Sequence, residues 1–555
     1  MPYDLRPTTY DLLVIGAGHN GLISACYLAR AGKRVLVLES RDIVGGACVT
    51  EEVWPGYRVS VGAYLCSLLQ PQIIADLNLK NYGFEVYRRE TAGFAPFPDG
   101  SSLFLYADPD KTRDALSGFC TAKDVEAYFE FERDVERAAE IIEPWLSGNP
   151  PTDAELTAAF AQAGRTHLYE QFITGSVRKL LDDRFEDDRL KTILATDGLI
   201  GTYGGPSTPG TAYVLLHHYM GMALGSRGAW GYVRGGMGRI TRALAHALTD
   251  LGGEIRTGAP VKAILCETRD GARRAVGVDL ESGERISCGI VLSNADPYRT
   301  FALMLGEEDR PAVDTWQKLK TQGGASAKIN LAVSELPRFT CLNGNRDRNR
   351  VRDTVSPSPR LPVSPSFPGP EHLGTIHLCP SLAALERAWD EARRGYPSTE
   401  PMIEMYLQTA TDSTLTPSGQ HILSLFVQYF PYKLAPGLDL DAERDAFVDR
   451  VIAICGRYAP NVPGSILHRQ VLTPRDIEAH FGLTGGHIFH GDLLPPTLFR
   501  GRSPGTANIG GRTDVIGLYL CGSGAHPGGC VYGAPGRIAA ESALADSTPD
   551  KIKQA

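Results

Sequence analysis

The feature that most constrains the fold of this chain lies close to its start. Asp11 to Ile15 is an apolar run of strand length, and it is followed by the turn Gly16-Ala17-Gly18-His19-Asn20-Gly21. An amphipathic segment then ends at Gly32, and a second apolar run extends from Val35 to Leu38. This order of strand, glycine turn, helix and strand predicts the first unit of an α/β, Rossmann-like domain built on a parallel sheet.

The glycine turn has the spacing of a dinucleotide-binding fingerprint. Gly16 permits the tight turn, Gly18 lets the backbone approach a pyrophosphate, and Gly21 lets the helix pack closely on the strands. The pyrophosphate is expected at the positive end of the helix dipole, with Asn20 also in contact with the cofactor. Glu39, at the end of the second strand, can accept both ribose hydroxyls and would repel a 2′-phosphate, which disfavours NADP.

The residues that follow this acidic ribose ligand favour FAD over NAD. A Gly45-Gly46 pair lies a few residues beyond it. Two consecutive glycines let the backbone pass close beside a long, extended cofactor. We therefore expect this segment to line an FAD site through Ser40, Arg41, Gly45, Gly46 and Ala47.

A second glycine-rich turn, near the carboxyl end of the chain, supports the flavin interpretation. Leu518 to Leu520 is predicted to be a strand, and a helix is expected from about Ala534. Amides of the turn between them can bind ribityl and phosphate oxygens, and the helix N-terminus can stabilise negative charge on the flavin pyrimidine ring. The expected contacts are made by Gly522, Ser523, Gly529, Cys530 and Val531.

The pattern between the two turns predicts an FAD-binding domain that is interrupted twice. Apolar residues recur at steps of three and four from Val125 to Ile142, which indicates a helical region over residues 111–227. Short strand-like pieces over 228–300 indicate a return to the nucleotide-binding sheet. We expect FAD-binding segments at 1–110, 228–300 and 505–555, and substrate-domain segments at 111–227 and 301–504. Residues 343–370, rich in Pro, Ser and Arg, are predicted to be a flexible insertion.

Composition and cysteine spacing argue against several classes of protein. With 56 Lys and Arg against 64 Asp and Glu, the net charge is −8, and no basic stripe predicts nucleic-acid binding. The eleven cysteines include no C-x-x-C pair, so neither a metal site nor the adjacent dithiol of a disulfide reductase is predicted. The start of the chain has no leader-like segment and no apolar run is long enough to span a bilayer, which predicts a soluble protein of the cytoplasm.

Six stretches resemble the phytoene desaturase-like family of flavoproteins: IGAGHNGL (15–22), GGACVTEEVWPGYRVS (45–60), GAWGYVRGGMG (228–238), LSNADP (292–297), GGHIFHGDL (485–493) and LYLCGSGAHPGGCVYGAPGR (518–537). The resemblance implies a split Rossmann-like FAD domain interleaved with an α+β substrate domain, bound FAD, and oxidoreductase chemistry on apolar substrates in the carotenoid branch. It also implies that Val261 lies against the adenine. Cys530 stands where relatives commonly have a third glycine, so the backbone contact there is expected to be altered.

Candidate catalytic residues come from the resemblance and from side-chain chemistry. Lys328, in the strand-like run AKINLAV, occupies a position similar to the flavin-facing lysine of amine oxidases, which holds a water near N5. His490 and His526 are candidate proton carriers because imidazole titrates near neutrality, and Asp492 is a candidate to orient His490. For each of these a purely structural role is the alternative. The pair His217-His218 is interpreted as structural, and its rings would lie on alternate faces if it were in a strand. Aromatic residues that could line an apolar cleft, or simply pack in the core, are Tyr64, Phe430, Tyr432, Phe489 and Tyr532.

These patterns predict an FAD-dependent oxidoreductase that oxidises or desaturates a small or apolar substrate by hydride transfer to flavin N5. Gly235-Gly236-x-Gly238 lacks a preceding apolar strand and a trailing acid, so no second fingerprint for NAD(P)H is predicted. Oxygen, a quinone or the substrate pair itself is then the expected electron acceptor. Two alternatives stay open, a flavin-dependent isomerase without net redox and a non-catalytic FAD-binding regulatory protein. Peripheral membrane contact and the oligomeric state also stay open.

Overall fold

The structure is a computed structural model, and it describes residues 10–311, 315–342, 367–502 and 509–547. The expected insertion at 343–370 lies outside the described residues as far as residue 366. The described part consists of a parallel sheet, a larger mixed sheet and a layer of helices, with smaller sheets between them.

The parallel sheet has five strands contributed by three distant parts of the chain. In spatial order they are β19 (Leu518–Leu520), β13 (Val291–Ser293), β1 (Leu12–Ile15), β2 (Val35–Leu38) and β9 (Glu254–Arg256). Every side chain of β1 and β2 is buried, because both faces of the sheet are covered. One face packs against α1 (His19–Arg30), α10 (Gly238–Asp250) and α16 (Ala534–Asp546).

The other face of the parallel sheet packs against a three-stranded antiparallel sheet. Its strands are β10 (Val261–Arg269), β11 (Ala272–Leu280) and β12 (Arg285–Ser287). Val261 therefore begins a strand of this small sheet, and its expected place in the parallel sheet was wrong. The start of β10 still lies beside the end of β2, because the N–H of Ala259 donates to the carbonyl of Glu39 at 2.8 Å.

The mixed sheet has seven strands. In spatial order they are β18 (Ile466–Leu472), β14 (Ser326–Val333), β17 (His421–Gln428), β16 (Met402–Tyr406), β15 (Thr375–Leu378), β6 (Thr91–Pro96) and β7 (Ser102–Tyr106). Its neighbours pair antiparallel except β15 and β6. One face packs against α13 (Leu440–Tyr458) through Phe447, Val448 and Val451. Because side chains alternate along a strand, the neighbouring positions face the opposite side, towards the rest of the molecule.

Two strands of the expected first FAD-binding segment join the mixed sheet. Residues 1–110 were predicted as the first FAD-binding segment, but β6 and β7 pair within the mixed sheet, where Ile376 lies opposite Phe94. The expected boundary at residue 110 stays a prediction, and these two strands lie on its FAD-binding side in sequence but in the mixed sheet in space. Short apolar runs look alike whichever sheet they join, so the sequence pattern could not separate the two. The other expected divisions of the chain stay predictions.

A layer of helices covers the open side of the mixed sheet. It contains α3 (Pro109–Ser117), α4 (Ala122–Leu146), α5 (Asp153–Gln162), α6 (Thr166–Tyr169), α7 (Val177–Asp182), α8 (Asp188–Thr196) and α9 (Thr211–Tyr219). The predicted helical face from Val125 to Ile142 is confirmed, and its apolar residues are buried in α4. Thr121 starts this helix, because its hydroxyl accepts a hydrogen bond from the N–H of Asp124 at 3.2 Å.

The remaining elements connect these layers. They are β3 (Thr50–Trp54), β4 (Tyr57–Ser60), β5 (Val86–Arg88), β8 (Gly231–Val233), α2 (Pro71–Asp76), α11 (Lys318–Thr321), α12 (Leu382–Ala392), α14 (Val462–Ser465) and α15 (Pro474–Phe481). None of the helices within the described ranges is both long enough and apolar enough to cross a bilayer. The predicted α/β fold class is confirmed.

Candidate active site

The two glycine-rich turns, although they come from opposite ends of the chain, lie side by side. β1 and β19 both pair in parallel with β13, so their carboxyl ends meet at one edge of the sheet. Asn20, buried in the first turn of α1, donates from Nδ2 to the hydroxyl of Ser523 at 3.3 Å. The ring of His19 bonds to the backbone of Cys530. The convergence expected from the sequence is present.

The first turn is packed so closely that Gly18 and Gly21 leave no room for a side chain. A Cβ on Gly21 would lie 2.2 Å from the carbonyl oxygen of Gly16, and a Cβ on Gly18 would lie 2.8 Å from Nδ2 of Asn294. Asn294 follows β13, and its Nδ2 donates to the Gly16 carbonyl at 3.4 Å. This residue was not singled out from the sequence. The sequence feature that could have indicated Asn294 is its position directly after an apolar strand, in LSNADP (292–297).

Glu39 is held at the carboxyl end of β2 by backbone amides. Its Oε2 accepts from the N–H of Ala17 at 2.7 Å, and its Oε1 accepts from the N–H of Arg41 at 2.9 Å and from the Ser40 hydroxyl at 3.3 Å. Oε2 accepts one hydrogen bond and so has a further lone pair for a ribose hydroxyl. The guanidinium of Arg41 forms an ion pair with Glu51 at 2.7 Å, so Arg41 contributes its backbone here.

The Gly45-Gly46 turn lies directly on the first glycine turn. The N–H of Gly45 donates to the carbonyl of Ala17 at 2.9 Å, and a Cβ on Gly46 would lie 3.3 Å from the Cα of Gly18. Both glycines have positive φ, 133° and 54°. Ala47 then follows as part of the cavity wall. The two glycine turns therefore contact each other through their backbones.

The turn after β19 keeps the backbone path of a glycine although it contains a cysteine. Cys530 has φ 71°, in the left-handed region that favours glycine. A Cβ on Gly529 would lie 2.6 Å from the ring of Phe489, and one on Gly522 would lie 2.7 Å from the carbonyl oxygen of Asn294. Ser523, Cys530 and Val531 all line the adjoining cavity.

The arrangement of these turns fits FAD. Glycine backbone surrounds the groove, a fixed carboxylate lies at its ribose end, and an N-terminal helix end faces it. Among the described residues, the buried Oδ1 of Asn20 and Nε2 of His19 have no hydrogen-bond partner. Both atoms lie between the two turns, where a cofactor could satisfy them. Val261 begins β10 close to Glu39 and stays a predicted neighbour of the adenine.

A cavity of about 480 Å³ adjoins the second turn and extends to the mixed sheet and the helical layer. Ala47, Ser523, Cys530 and Val531 line its cofactor end. Lys328, Phe426, Glu404 and His377 line it from the mixed sheet. Of the expected aromatic residues, Tyr64 and Phe489 line the cavity, whereas Phe430, Tyr432 and Tyr532 do not.

Lys328 is buried in the cavity wall. Its Nζ donates to Oδ1 of Asn330 at 2.9 Å and to the hydroxyl of Ser424, and it lies 5.0 Å from the ring centroid of Tyr64. Burial lowers the pKa of Lys328 to about 7. A solvent-facing strand lysine, the structural alternative, is excluded by its 4% exposure.

The two candidate histidines differ in position. His490 lines the cavity with φ 56°, and burial together with the Arg502 charge lowers its pKa to about 3, so the ring is neutral. Asp492 bonds to Nε2 of His487 at 3.0 Å, so the expectation that it orients His490 was wrong. His526 bonds through Nε2 to the carbonyl of Trp145 at 2.8 Å and is not part of the cavity wall, which does not support the predicted catalytic role.

His217 and His218 lie in helix α9 and not in a strand, so the condition for rings on alternate strand faces is not met. Both are buried, as expected of structural residues. Nε2 of His217 lies 3.4 Å from the carbonyl oxygen of Gly529, which ties the helix to the flavin-side turn. Nε2 of His218 lies 4.0 Å from Sγ of Cys530.

Several buried charged residues of the site were not found from the sequence. Arg502 donates from Nη2 to the carbonyl of Ser523 at 2.8 Å and from Nη1 to the carbonyl of Asp492 at 3.0 Å, and so joins the flavin-side turn to the preceding loop. Further charged groups in the cavity wall are Arg88, Arg89, Arg227, Glu132, Asp197 and Glu404. No motif marks them, because they come from separate helices and strands.

A parallel sheet with two converging glycine turns, a carboxylate at the ribose position and an adjoining cavity defines this protein as an FAD-dependent oxidoreductase. The chain belongs to the Flavin containing amine oxidoreductase family, whose sequence profile matches residues 21–338. FAD is thereby confirmed as the cofactor.

The similarity to known proteins extends along almost the whole chain. Pyridine nucleotide-disulfide oxidoreductase domain-containing protein 2 of Rattus norvegicus is 39% identical over 98% of this chain and 94% of its own length. Hydroxyneurosporene desaturase of Cereibacter sphaeroides is 27% identical over 98% of this chain and 99% of its own. The solved structure of an oxidoreductase from Methanosarcina mazei superposes with a TM-score of 0.57 at 19% identity, over 96% of this chain and 99% of that one. The predicted likeness to phytoene desaturases is confirmed.

Proposed function

We propose that this protein oxidises or desaturates a small or largely apolar substrate held in the cavity beside the flavin-side turn. FAD, when bound, supplies the acceptor for a hydride from a substrate C–H bond. The observation that carries the proposal is the continuity of this cavity from the cofactor turns to a mostly apolar wall. Apolar residues of that wall include Leu65, Leu68, Leu105, Ile193, Ile200 and Ile488.

We infer that Lys328 accepts or holds the proton that leaves the substrate. Its amine lies in the cavity wall, is fixed by Asn330 and Ser424, and has a pKa that burial lowers to about 7. A group with a pKa near the working pH is suited to proton transfer. A water on Nζ, as expected from the likeness to amine oxidases, is compatible with the same position.

His490 is the second candidate for proton transfer. Its ring is in the cavity wall, and its Nδ1 has no hydrogen-bond partner among the described residues. Because burial keeps the ring neutral, it can accept a hydrogen bond or a proton from a substrate group. We do not carry His526 into the proposal, because its Nε2 is bound to the Trp145 carbonyl.

We propose oxygen or a quinone as the electron acceptor. The Gly235-Gly236-x-Gly238 loop has its amides bound by protein side chains: Gly235 to Oδ2 of Asp412 at 2.6 Å, and Gly238 to the Thr50 hydroxyl at 2.9 Å. A Cβ on Gly236 would lie 2.4 Å from that same hydroxyl. These amides are therefore not free for the pyrophosphate of a second dinucleotide. A location in the cytoplasm and peripheral contact with a membrane surface also stay proposals.

Anaerobic reductive titration tests the proposal. The purified protein with bound FAD would be mixed under nitrogen with fractions of an apolar lipid extract, and the visible flavin band followed. We expect at least one fraction to bleach the band and to yield a product with two hydrogens fewer. If dithionite bleaches the band and no fraction does, the proposal is wrong. A product that is only an isomer of its precursor supports the isomerase alternative.

A further inference from the structure

The cavity wall contains a row of four residues that crosses the mixed sheet at one level. Lys328 lies opposite Phe426, Phe426 lies opposite Glu404, and Glu404 lies opposite His377. All four line the cavity. Because neighbouring strands are about 4.8 Å apart, Glu404 lies two strands, or about 10 Å, from Lys328. A substrate that extends along this row from Lys328 therefore reaches Glu404 with a second part of its structure.

The basic side chains of the cavity wall are Arg88, Arg89, Arg227 and Lys328. Arg88 donates to the hydroxyl of Ser226, and Arg227 forms an ion pair with Glu143 at 2.8 Å, although its Nη1 has no partner among the described residues. Arg89 donates to the hydroxyl of Thr375 at 2.9 Å, and its charge lowers the pKa of Asp197, which burial raises to about 6. Asp197 is thus still largely ionised at pH 7, and its charge offsets that of Arg89.

Glu404 differs from these groups because one of its carboxyl oxygens is not used by the protein. The side chain is fully buried, and its Oε2 accepts from the hydroxyl of Tyr406. Its Oε1 has no hydrogen-bond partner in the described part of the chain. The nearby hydroxyl of Thr196 donates to the carbonyl of Ile193 at 2.8 Å and lies 3.2 Å from Nδ1 of His377. A buried oxygen without a partner is costly, so a ligand that pairs with it would be stabilised.

The surroundings of Glu404 keep its carboxyl group protonated at neutral pH. Burial, followed by the charge of Asp197, raises the pKa of Glu404 to about 8, and Arg89 opposes this more weakly. His377 is neutral, because burial and Arg89 lower its pKa to about 3. Since Oε2 is the oxygen that accepts from Tyr406, the carboxyl proton is expected on Oε1. Oε1 is then a buried donor without an acceptor.

Glu132, from helix α4, contributes a second unused oxygen to the same cavity. Its Oε1 is buried and has no hydrogen-bond partner within the described ranges. Burial raises the pKa of Glu132 to about 7, with the hydroxyl of Tyr219 opposing and the Asp197 charge adding to it. Near neutral pH this group can therefore donate or accept a hydrogen bond.

These groups suit a neutral oxygen better than an ion. A cation would find Glu404 uncharged and would meet the charge of Arg89, whereas an anion would meet the charge of Asp197. A hydroxyl or carbonyl oxygen accepts from Oε1 of Glu404 and leaves no additional buried charge. A hydroxyl can in addition donate to Glu132.

We propose that Glu404 donates a hydrogen bond to a neutral oxygen of the substrate, a hydroxyl or a carbonyl. The inference rests on the proposed function, since the reacting carbon is then held about 10 Å away, near Lys328. The substrate is accordingly an apolar molecule with one uncharged polar group at that distance from the bond that reacts, rather than a pure hydrocarbon.

The test compares three probes that share one carbon skeleton: 2-octanol, 2-octanone and 2-chlorooctane. Each would be titrated calorimetrically into the oxidised, FAD-loaded protein, both the parent and Glu404→Leu. Because the leucine cannot donate, 2-octanol and 2-octanone should bind about fivefold to tenfold more weakly, while 2-chlorooctane binds as before. An equal change for all three probes overturns the proposal, as does failure of the parent to bind the alcohol and the ketone. Tighter binding of 2-octanol than of 2-octanone by the parent supports the hydroxyl, and the reverse order supports the carbonyl.

The pH dependence separates the hydrogen bond from a change in packing. Glu404 loses its donor proton as the pH rises through about 8, so the affinity of the parent for 2-octanone should fall between pH 7 and pH 9.5. Glu404→Gln donates from its amide at every pH and should show no such fall, and this variant serves if Glu404→Leu does not fold. Glu281→Gln, at an exposed turn, is the matched control and should keep the fall. The same fall in Glu404→Gln as in the parent overturns the proposal.

The outcome is separable from that of the proposed function. Binding is measured with oxidised cofactor and needs no turnover. A protein that loses 2-octanone affinity in Glu404→Leu but is never reduced by a lipid fraction supports the oxygen site and contradicts the oxidase or desaturase proposal. A protein that is reduced by such a fraction, yet binds the three probes alike in the parent and in Glu404→Leu, does the reverse.

Discussion

The side-chain amide of Asn20 donates a hydrogen bond to the hydroxyl of Ser523 at 3.3 Å, across 503 residues of sequence. The bond joins the fingerprint turn to the flavin-side turn. Asn20 Oδ1 is buried without a partner in the described part of the chain. Asn20 therefore joins the two turns, and we infer that its free Oδ1 accepts a hydrogen bond from the cofactor.

Asn20→Ala is expected to weaken FAD binding about fivefold to tenfold, the effect of losing one net hydrogen bond. Ser523→Ala should have a similar effect, and the double variant should be less affected than the sum of the two, because both remove the same contact. Fluorescence titration of each apoprotein with FAD measures the dissociation constants that are compared. Strictly additive losses would show that the two residues act independently.

Gly46→Ala is expected to lower the FAD content of the purified protein. At φ 54° a Cβ costs about 1 kcal/mol, and here it would also lie in the groove, 3.3 Å from the Cα of Gly18. Gly283→Ala is the matched control, since Gly283 has φ 88° and open space around it. Both variants should lose similar thermal stability. If the flavin-to-protein absorbance ratio falls equally in both, the groove is not the cause.

Flavin reduction is expected to become faster from pH 6 to pH 8. Burial lowers the pKa of Lys328 to about 7, so the amine is neutral, and able to accept a proton, above that pH. Lys328→Met should abolish the rise and slow reduction by about 10²–10⁴-fold. Stopped-flow traces across this pH range provide the measurement, with the exposed Lys262→Met as control. If the rate of reduction still rises with pH in Lys328→Met, another group is responsible for the pH dependence.

Arg502→Met is expected to destabilise the protein by about 3 kcal/mol and to release FAD, because several carbonyls lose their donor together. Those of Ser523 and Asp492 lie on two different loops, so the turn is expected to lose its position as well as stability. Thermal unfolding and flavin content are the measurements. Arg338→Met, at a surface ion pair, should change neither. Retention of FAD in Arg502→Met at unchanged stability would contradict this role.

Much of the cofactor site could be predicted because its requirements are local. The positions of Gly16, Gly18 and Gly21 follow from the spacing of one turn, and Glu39 from the end of one strand. Cys530 adopts φ 71°, in the left-handed region that favours glycine, and the altered backbone contact expected there stays a prediction. The residue type alone could not predict this conformation, because a left-handed φ is uncommon for residues other than glycine.

The residues of the cavity could not be assembled in the same way. His490 faces the cavity and His526 bonds to Trp145, although both lie in glycine-rich loops with similar sequence signals. Glu404 and Asp197 stand in segments with no motif. They become part of one site only because the fold places a strand and a helix end at the wall of the same cavity.

The sequence by itself determined the parallel nucleotide-binding sheet, the two glycine turns and FAD, because each depends on φ angles, apolar runs and spacings within a few residues. Only the tertiary structure decided which strands pair, which histidine reaches the cavity, and which buried charges meet there. Those properties depend on burial and on distances between segments far apart in the chain, and no local sequence pattern predicts either of them. The sequence did not predict that β6 and β7 pair in the mixed sheet for the same reason, since packing across the whole fold selects the partner of a strand.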